Sequence, residues 1–363
     1  MGLTALQAEN KELGAAVCEY RGATVAARFS DPQAEFAALR GECAVFDLGY
    51  RAKLSLTGGD RVRWLNGMVT NNIRDLAADR GVYAFLLNPQ GHILGDLYAY
   101  NRGESITVDT DASQVDRILA TFDHYIIMDD VEVKNRGEQV TALGVAGPKA
   151  EEALQGLGLT LPAGELHVAT ASWKGAECDV VRTDSPQFPA YEVWIAPTKV
   201  RSLWDALIAA GAMAVGSEAL EMNRIAAGVP LFGLDIRERD LPQETEQARA
   251  LNFNKGCYVG QEIVERIRSR GAVHRKFTGF VADAAVVPGS KIVAGEKEVG
   301  EITSATSVLL AGTQRYIAIG YIRREAATPG REVLIGGVRG AVIAMPLSDE
   351  SVMSVERALE RPA

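Results

Sequence analysis

The sequence predicts an α+β protein that carries a separate β-domain at its C-terminal end. Up to about residue 275, segments of helical periodicity alternate with hairpin-like runs, whereas from Lys276 onward short β-like runs are punctuated by glycine. At 363 residues the chain exceeds one ordinary core, which favours two or three domains. We therefore predict a boundary between an α+β region over 1–275 and a β-barrel or sandwich over 276–363.

The first elements follow from capping residues and composition. Asp31-Pro32 predicts the start of a short helix that stops at Gly41, because Asp is a good N-cap and Pro suits the first helical turn. A β-rich run over 44–56 follows, and Asp60 is placed to cap the next helix.

Later elements are predicted from turns and apolar spacing. Strands over 83–88, 93–100 and 105–109 are expected to form hairpins, because 88-NPQG-91 and 101-NRGE-104 are turn sequences. The remaining predicted elements are, in order, a helix with apolar positions from Val115 to Ile126, a helix starting at Gly147-Pro148, strands over 178–183 and 191–196, helices over 200–208 and 218–227, and strands over 276–282, 290–294, 315–322, 332–336 and 341–345.

Charge and targeting signals restrict the classes of function. Lys and Arg number 38 against 47 Asp and Glu, and the formal net charge of −9 disfavours a direct nucleic-acid partner. The N-terminal MGLTALQAENKE lacks the basic start and apolar stretch of a signal peptide, and no run reaches transmembrane length. We expect a cytoplasmic protein without a membrane partner.

Cysteine and histidine usage gives no sign of a metal centre. The four cysteines are scattered without a CxxC pair, which favours reduced thiols over disulfides or a zinc module. The four histidines are equally dispersed, with no metal-ligand spacing. We expect no intrinsic metal site.

One stretch, 255-KGCYVGQE-262, carries a candidate reactive residue, Cys257. Lys255 lies two residues before it, and Gly256 allows close backbone approach. A nearby ammonium and a helix N-terminus both favour a thiolate, so we expect a lowered pKa for this thiol. The alternative is one more buried cysteine that acts as a small hydrophobe. Apolar residues at helical spacing that predict a helix just after the thiol are Val259, Ile263 and Ile267.

This stretch resembles the KGCYxGQE motif of the YgfZ-type folate-binding proteins, which are relatives of the glycine-cleavage T-protein (aminomethyltransferase) family. The resemblance covers about residues 40–282, and T-proteins have a different, Phe-containing sequence at this motif, which favours the YgfZ branch. Other stretches that resemble the family, in the same order, are 46-FDLGYRAKLSLTGGDRVRWLNGMVTNNI-73, 86-LLNPQGHILGDLYAY-100, 145-VAGPKA-150, 224-RIAAGVPLFGLDI-236 and 241-LPQE-244.

The resemblance implies a three-domain T-protein-like fold. Two α/β domains interleaved along the chain would surround a central opening that holds folate, and a β-barrel would follow at the C-terminal end. It also implies tetrahydrofolate, or a one-carbon derivative of it, as the cofactor. We expect the protein to be a monomer.

Two carboxylates are implied as folate-site residues. Asp96 matches the second acid of the T-protein's DDL, the carboxylate that works on the bound folate, although Gly95 replaces the first acid. Without the resemblance, Asp96 could be an exposed hairpin residue. Glu192 matches the glutamate that receives the pterin ring, and strand alternation places it on the same face as Trp194.

The resemblance also assigns Arg224 and Tyr258 to the folate site. A guanidinium at Arg224 could hold the glutamyl tail of folate, or it could instead pair with Glu221 on the same helix. Tyr258 lies within the motif that carries Cys257 and Lys255.

Three functions remain open on these residues. The first is a YgfZ-like protein that supports iron–sulfur cluster assembly or repair, and thereby tRNA modification, with Cys257 and Lys255 functional and iron–sulfur assembly or client proteins as partners. The second is a tetrahydrofolate-dependent aminomethyltransferase or methyltransferase that uses Asp96, in which Cys257 is structural. The third is a folate-dependent scaffold without chemistry.

Overall fold

The computed structural model describes residues 2–271, 273–310 and 312–348, so the last part of the predicted C-terminal domain, 349–363, lies outside the described residues. The chain divides into two compact units. The first is built from the segment that ends at Leu87 and from Leu94–Leu220 and Arg249–Val259. The second is built from Asn88–Ile93, Glu221–Ala248 and the described residues from Gly260 onward. No helix among the described residues combines the length and the apolar character needed to cross a membrane.

Of the two aspartates predicted to cap helices, Asp31 makes its capping bond and Asp60 does not. Asp31 accepts a hydrogen bond from the Gln33 amide at 3.3 Å, and Pro32 is the first helical residue. Asp60 makes no capping bond to its own helix, because its carboxylate accepts from the Asp130 amide at 3.0 Å instead. The helices are α1 (Gln7–Glu12), α2 (Pro32–Gly41), α3 (Arg61–Met68), α4 (Val115–Tyr125), α5 (Ala150–Gly156), α6 (Pro197–Ala209), α7 (Ser217–Ala227) and α8 (Gln261–Arg270).

The strands of the first unit form three sheets, of three, six and five strands. The strands are β1 (Gly2–Leu3), β2 (Ala16–Tyr20), β3 (Ala23–Arg28), β4 (Ala44–Asp47), β5 (Arg51–Thr57), β6 (Arg80–Leu87), β7 (Ile93–Asn101), β8 (Ile106–Asp111), β9 (Glu132–Asn135), β10 (Thr141–Ala146), β11 (Val168–Trp173), β12 (Ala176–Arg182), β13 (Ala190–Ile195) and β14 (Met213–Ala214). Their orders are β1-β3-β2, β11-β12-β13-β10-β4-β14 and β6-β7-β8-β5-β9. The β-rich run predicted over 44–56 therefore supplies β4 and β5 to two different sheets.

The five-stranded sheet has one apolar and one charged face. In β5, Leu54 and Leu56 are fully buried, and they alternate with Arg51 and Lys53. The apolar face packs against α3 and α4, where Leu65 and other buried side chains complete the core. Burying one such leucine stabilises the fold by roughly 1.5–3 kcal/mol. The charged face therefore brings Arg51 and Lys53 to the same side of the sheet.

The second unit contains a closed barrel, which confirms the predicted C-terminal β-domain. Its longest strand, β17, was not predicted, because a β-bulge between Ile302 and Ser304 interrupts the alternation of apolar and polar residues. Closure leaves no unpaired strand edge. The barrel strands are β15 (Arg275–Ala282), β16 (Lys291–Ala294), β17 (Lys297–Leu310), β18 (Thr313–Arg323), β19 (Glu332–Ile335) and β20 (Val338–Ile343), in the order β15-β18-β17-β16-β19-β20.

Candidate functional site

Asp96 lies on β7 and is held by two side chains. The Tyr83 hydroxyl donates to its Oδ2 at 2.6 Å, and the Gln114 amide nitrogen donates to its Oδ1 at 2.7 Å. Burial raises the pKa of Asp96 and the nearby Asp111 raises it further, while the two hydrogen bonds offset part of this effect. Asp96 is therefore an oriented, half-buried carboxyl group, and the alternative of an exposed hairpin residue is wrong.

Glu192 lies on β13 beside an indole, as strand alternation predicts. The Trp194 Nε1 donates to Glu192 Oε2 at 2.7 Å, and the Lys53 ammonium lies 3.5 Å from the same oxygen. The Glu192 side chain is 13% exposed. Within the described part of the chain no donor reaches Oε1, so this oxygen remains available to a ligand that carries N–H groups.

A chain of ion pairs extends from Glu192 along the charged face of the five-stranded sheet. The Lys53 ammonium lies 2.7 Å from Asp109, whose other oxygen accepts from Arg51 at 2.8 Å. Arg51 also donates to Asp111 at 2.6 Å. Burial raises the pKa of Asp109, but the two cations outweigh burial and lower it overall. We call Arg51, Lys53, Asp96, Asp109, Asp111 and Glu192 the charge cluster.

A third segment of the first unit supports the Asp96 end of this cluster. The Arg249 guanidinium lies 4.6 Å from the Tyr83 ring centroid and hydrogen-bonds to Asp184. Asp184 also accepts from the Tyr98 hydroxyl at 3.1 Å. Tyr83 is thus fixed through its ring and through its hydroxyl at once.

Cys257 is exposed, whereas Cys43 and Cys178 are buried and Cys18 is half-buried. The alternative of one more buried cysteine is therefore wrong. The helix expected after the thiol is α8, which begins only at Gln261. Val259, predicted on its apolar face, lies before it and packs into the core of the first unit.

Lys255 caps the C-terminal end of α3 and makes no described contact with the Cys257 sulfur. Its ammonium donates to the carbonyls of Asn66 and Val69 at 2.5 Å each and of Asn71 at 2.8 Å. Carbonyls at a helix C-terminus have no partner within the helix, so a cation there satisfies them. Burial lowers the pKa of Lys255 to about 7, and the nearby Arg74 adds to this shift.

Tyr258, the remaining motif residue, is buried with its ring centroid 4.8 Å from the Lys255 ammonium. Its ring therefore shields the lysine side chain. The hydrogen bond from the Val259 amide to the Gly67 carbonyl, at 3.0 Å, joins the same segment to α3.

Arg224 lies in the second unit and is engaged by protein groups. It donates to Glu221 at 2.9 Å, to Asp235 at 2.5 Å and to the Ser304 hydroxyl at 2.9 Å. Asp235 is itself buried and accepts from Thr303. The predicted pairing with Glu221 is present, and these bonds join α7 to the barrel strand β17.

Sequence reasoning named Asp96 and Glu192 as candidates but did not name the residues that hold them. Tyr83 and Gln114 have no distinguishing pattern in the sequence. The charged residues do have one, because Arg51 and Lys53 on β5 alternate with apolar positions. The same alternation places Asp109 and Asp111 opposite them on β8.

The sequence and the fold were compared with known proteins. Residues 6–255 match the family model described as the GCVT N-terminal domain. An aminomethyltransferase of Rubrobacter xylanophilus is 29% identical over 92% of this chain and 90% of that protein. One of Streptomyces coelicolor is 29% identical over 94% and 96%. The aminomethyltransferase T of the glycine cleavage system from Bartonella henselae shares the fold, with a TM-score of 0.87, 18% identity and coverage of 96% and 98%.

Within the described ranges, no group of three or more His, Cys, Asp or Glu side chains is arranged to hold a metal ion.

Proposed function

Because the chain belongs to the family of the GCVT N-terminal domain, we propose that it is a tetrahydrofolate-dependent one-carbon transferase of the aminomethyltransferase type. The aminomethyltransferases of this family use tetrahydrofolate as the one-carbon acceptor. The observation that carries the proposal is the half-buried Asp96 carboxyl group, which Tyr83 and Gln114 orient and whose pKa burial raises. An oriented carboxyl group with a raised pKa suits general acid–base work near neutral pH.

The residues of the charge cluster fit a folate. Bound tetrahydrofolate supplies the nitrogen that accepts the one-carbon unit. Glu192 would hold the pterin by accepting its N–H groups, since Trp194 occupies only one lone pair of Oε2. The Lys53 ammonium lies 3.5 Å from Oε2 and offsets the negative charge of the Glu192 carboxylate. Asp96 takes or returns a proton at a carboxylate oxygen and, when ionised, stabilises positive charge beside it.

Replacement of Asp96 by Asn tests this function. The amide keeps the size of the side chain but cannot exchange a proton, so we expect aminomethyl transfer to tetrahydrofolate to fall by roughly 10²- to 10⁴-fold. Tetrahydrofolate affinity, measured by calorimetry, should be retained. Asp123→Asn, at an exposed position of α4, is the matched control. Absence of turnover by the wild-type chain under aminomethyltransferase assay conditions would contradict the proposal.

A second candidate function rests on Cys257. The thiol is exposed within 255-KGCYVGQE-262, the stretch that resembles the YgfZ-type proteins. We propose for this case that the chain supports iron–sulfur enzymes as a cytoplasmic monomer, with iron–sulfur assembly or client proteins as its partners. The test uses a strain that lacks the gene for this protein. The wild-type chain should restore the activity of an iron–sulfur enzyme in that strain. Failure of the wild-type chain to rescue would remove this candidate.

A further inference from the structure

The second unit contains a cavity of about 270 Å³ that neither function above uses. Strands β15 to β18 of the barrel line it, together with the loop after residue 236. We call it the barrel pocket. Its basic residues and its one aromatic residue are Arg237, Arg239, Arg275, Lys291, Arg323 and Tyr321.

Three of the five cations in the barrel pocket are neutralised by carboxylates. Arg275 donates to both oxygens of Glu244, at 2.9 and 2.8 Å, and to Asp240 at 2.7 Å. Arg237 and Lys291 share Glu301, at 3.1 and 2.9 Å, and Lys291 also lies 3.4 Å from Glu298. The carboxylates near the pocket are thus already occupied by these cations.

With Asp240, Glu244, Glu298 and Glu301, four carboxylates oppose the five cations, so a small surplus of positive charge remains, on Arg239 and Arg323. Arg239 is exposed, and no carboxylate pairs with it within the described ranges. Arg323 meets Glu325 at 4.0 Å, where both side chains are more than half exposed, and water screens such a pair strongly. The pocket therefore favours a negatively charged occupant.

Tyr321 provides an independent sign of a ligand. Its side chain is packed between the Phe277 ring, 5.3 Å away, and the Arg275 guanidinium, 4.6 Å away, and the residue is 5% exposed. The hydroxyl is buried and has no hydrogen-bond partner among the described residues. Burial raises the pKa of Tyr321, and the nearby Asp240 and Glu244 raise it further while Arg275 lowers it, so the hydroxyl keeps its proton and remains a donor. Buried polar groups in proteins nearly always have a partner, and here a ligand in the pocket can supply it.

Two backbone features of β17 lie in the lining of the pocket. The bulge in β17 falls at Thr303, which lines the pocket, and bulges are frequent beside binding sites. Gly300 also lines the pocket, and a Cβ there would come within 2.1 Å of the Tyr321 carbonyl oxygen. No residue with a side chain fits at this position without displacing β18.

We propose that the barrel pocket binds the oxyanion group, phosphoryl or carboxylate, of a small molecule. The Tyr321 hydroxyl donates one hydrogen bond to the oxyanion, and the Arg239 and Arg323 guanidinium groups supply the positive charge. The site lies within the second unit and needs no residue of the charge cluster. A test of this site is therefore independent of the proposed transferase function.

Titration calorimetry on the whole chain at low ionic strength tests the site, with inorganic phosphate and glutarate as probes. We expect saturable binding of at least one probe, and the probe that binds identifies the oxyanion. Tyr321→Phe removes only the hydroxyl and should weaken binding by roughly tenfold or more, because a hydrogen bond to a charged acceptor is lost. Arg239→Gln changes an exposed residue that folding does not need, and it should weaken binding by roughly threefold or more.

The control is Arg339→Gln, an exposed arginine of the same barrel that pairs with Glu332 and does not line the pocket. It should leave the affinity unchanged, and thermal unfolding should show that all three variants fold. Absence of saturable binding of both probes would overturn the proposal. So would wild-type affinity in Arg239→Gln, or in a folded Tyr321→Phe variant.

Discussion

The charge cluster and the segment Lys255–Tyr258 lie in the same unit but hold their candidate reactive groups in opposite ways. In the cluster, Asp96 is half-buried and fixed by Tyr83 and Gln114. In the segment, the buried lysine anchors the backbone on α3 while Cys257 is left exposed. A preorganised, half-buried carboxyl group suits chemistry on a bound small molecule. An exposed thiol on an anchored backbone suits reaction with an external partner.

Removal of the central cation should give the largest change in stability. Lys53→Met leaves the buried Asp109 with one cation instead of two and takes the positive charge from Glu192. We expect the free energy of unfolding in urea to fall by about 3–5 kcal/mol, as when one partner of a buried ion pair is removed. Lys134→Met, on the exposed strand β9, should change it by less than about 0.5 kcal/mol. Equal effects of the two substitutions would mean that the cluster is not a stabilising network.

The Glu192 end of the cluster should respond in ligand affinity. Glu192→Gln keeps the size of the side chain but loses the negative charge and one acceptor. We expect tetrahydrofolate binding, measured by calorimetry, to weaken by about 1.5–3 kcal/mol, as for a hydrogen bond to a charged group. Glu177→Gln, at an exposed position of β12, is the control. Unchanged affinity in Glu192→Gln would remove Glu192 from the folate site.

Sequence patterns predicted the local features of both regions but not the tertiary contacts that complete them. The hairpin strands and the alternation that pairs Glu192 with Trp194 depend on local periodicity, and they were predicted. The position of Tyr83 beside Arg249 depends on chain segments more than 160 residues apart, which no local pattern encodes. The carbonyls that Lys255 caps lie equally far away in sequence, so its role in capping α3 was not predicted. Gly95 and Asp96 could be matched to a motif, but the partial burial of Asp96 is tertiary.

In the segment Lys255–Tyr258, loss of the anchoring lysine should lower the free energy of unfolding by less than loss of Lys53 does. Lys255→Met leaves three carbonyls near the end of α3 without their donor, so we expect a loss of about 1–3 kcal/mol in the free energy of unfolding. Lys174→Met is a matched control, because the Lys174 ammonium also lies over a ring, that of Trp173 at 4.6 Å, yet the residue is exposed. A loss in the control as large as that in Lys255→Met would assign the effect to the ring contact and not to the carbonyls.

The same lysine should give stability a dependence on pH. Its pKa in the folded chain is about 7, below the value of about 10.4 expected when unfolded. Between these two values the unfolded chain binds more protons, so the contribution of Lys255 to the free energy of unfolding rises with pH. Urea unfolding at roughly pH 6 and pH 9 should show this rise in the wild type, and Lys255→Met should lack it. If the free energy of unfolding changed equally with pH in the wild type and in Lys255→Met, the three carbonyls would be keeping the ammonium charged throughout this range.

Replacement of the thiol should change stability least. Cys257→Ser alters an exposed atom, so we expect a change in the free energy of unfolding within about 0.5 kcal/mol. In the wild type, iodoacetamide should label Cys257 before the buried Cys43 and Cys178, as peptide mass spectrometry would show. Labelling of Cys257 only on unfolding would contradict its exposure.

The function of the thiol is tested by the same substitution in cells. If Cys257 reacts with an external partner, Cys257→Ser should fold normally but fail to rescue an iron–sulfur enzyme in a strain that lacks the native gene, while Cys18→Ser should rescue it. Cys18 is a suitable control, because its sulfur contacts the Ser217 hydroxyl at 3.2 Å and is therefore engaged within the protein. Rescue by Cys257→Ser at the wild-type level would show that the exposed thiol does no chemistry. Any catalysis by the first unit would then be carried by Asp96 and the charge cluster, since the segment would serve only to cap α3.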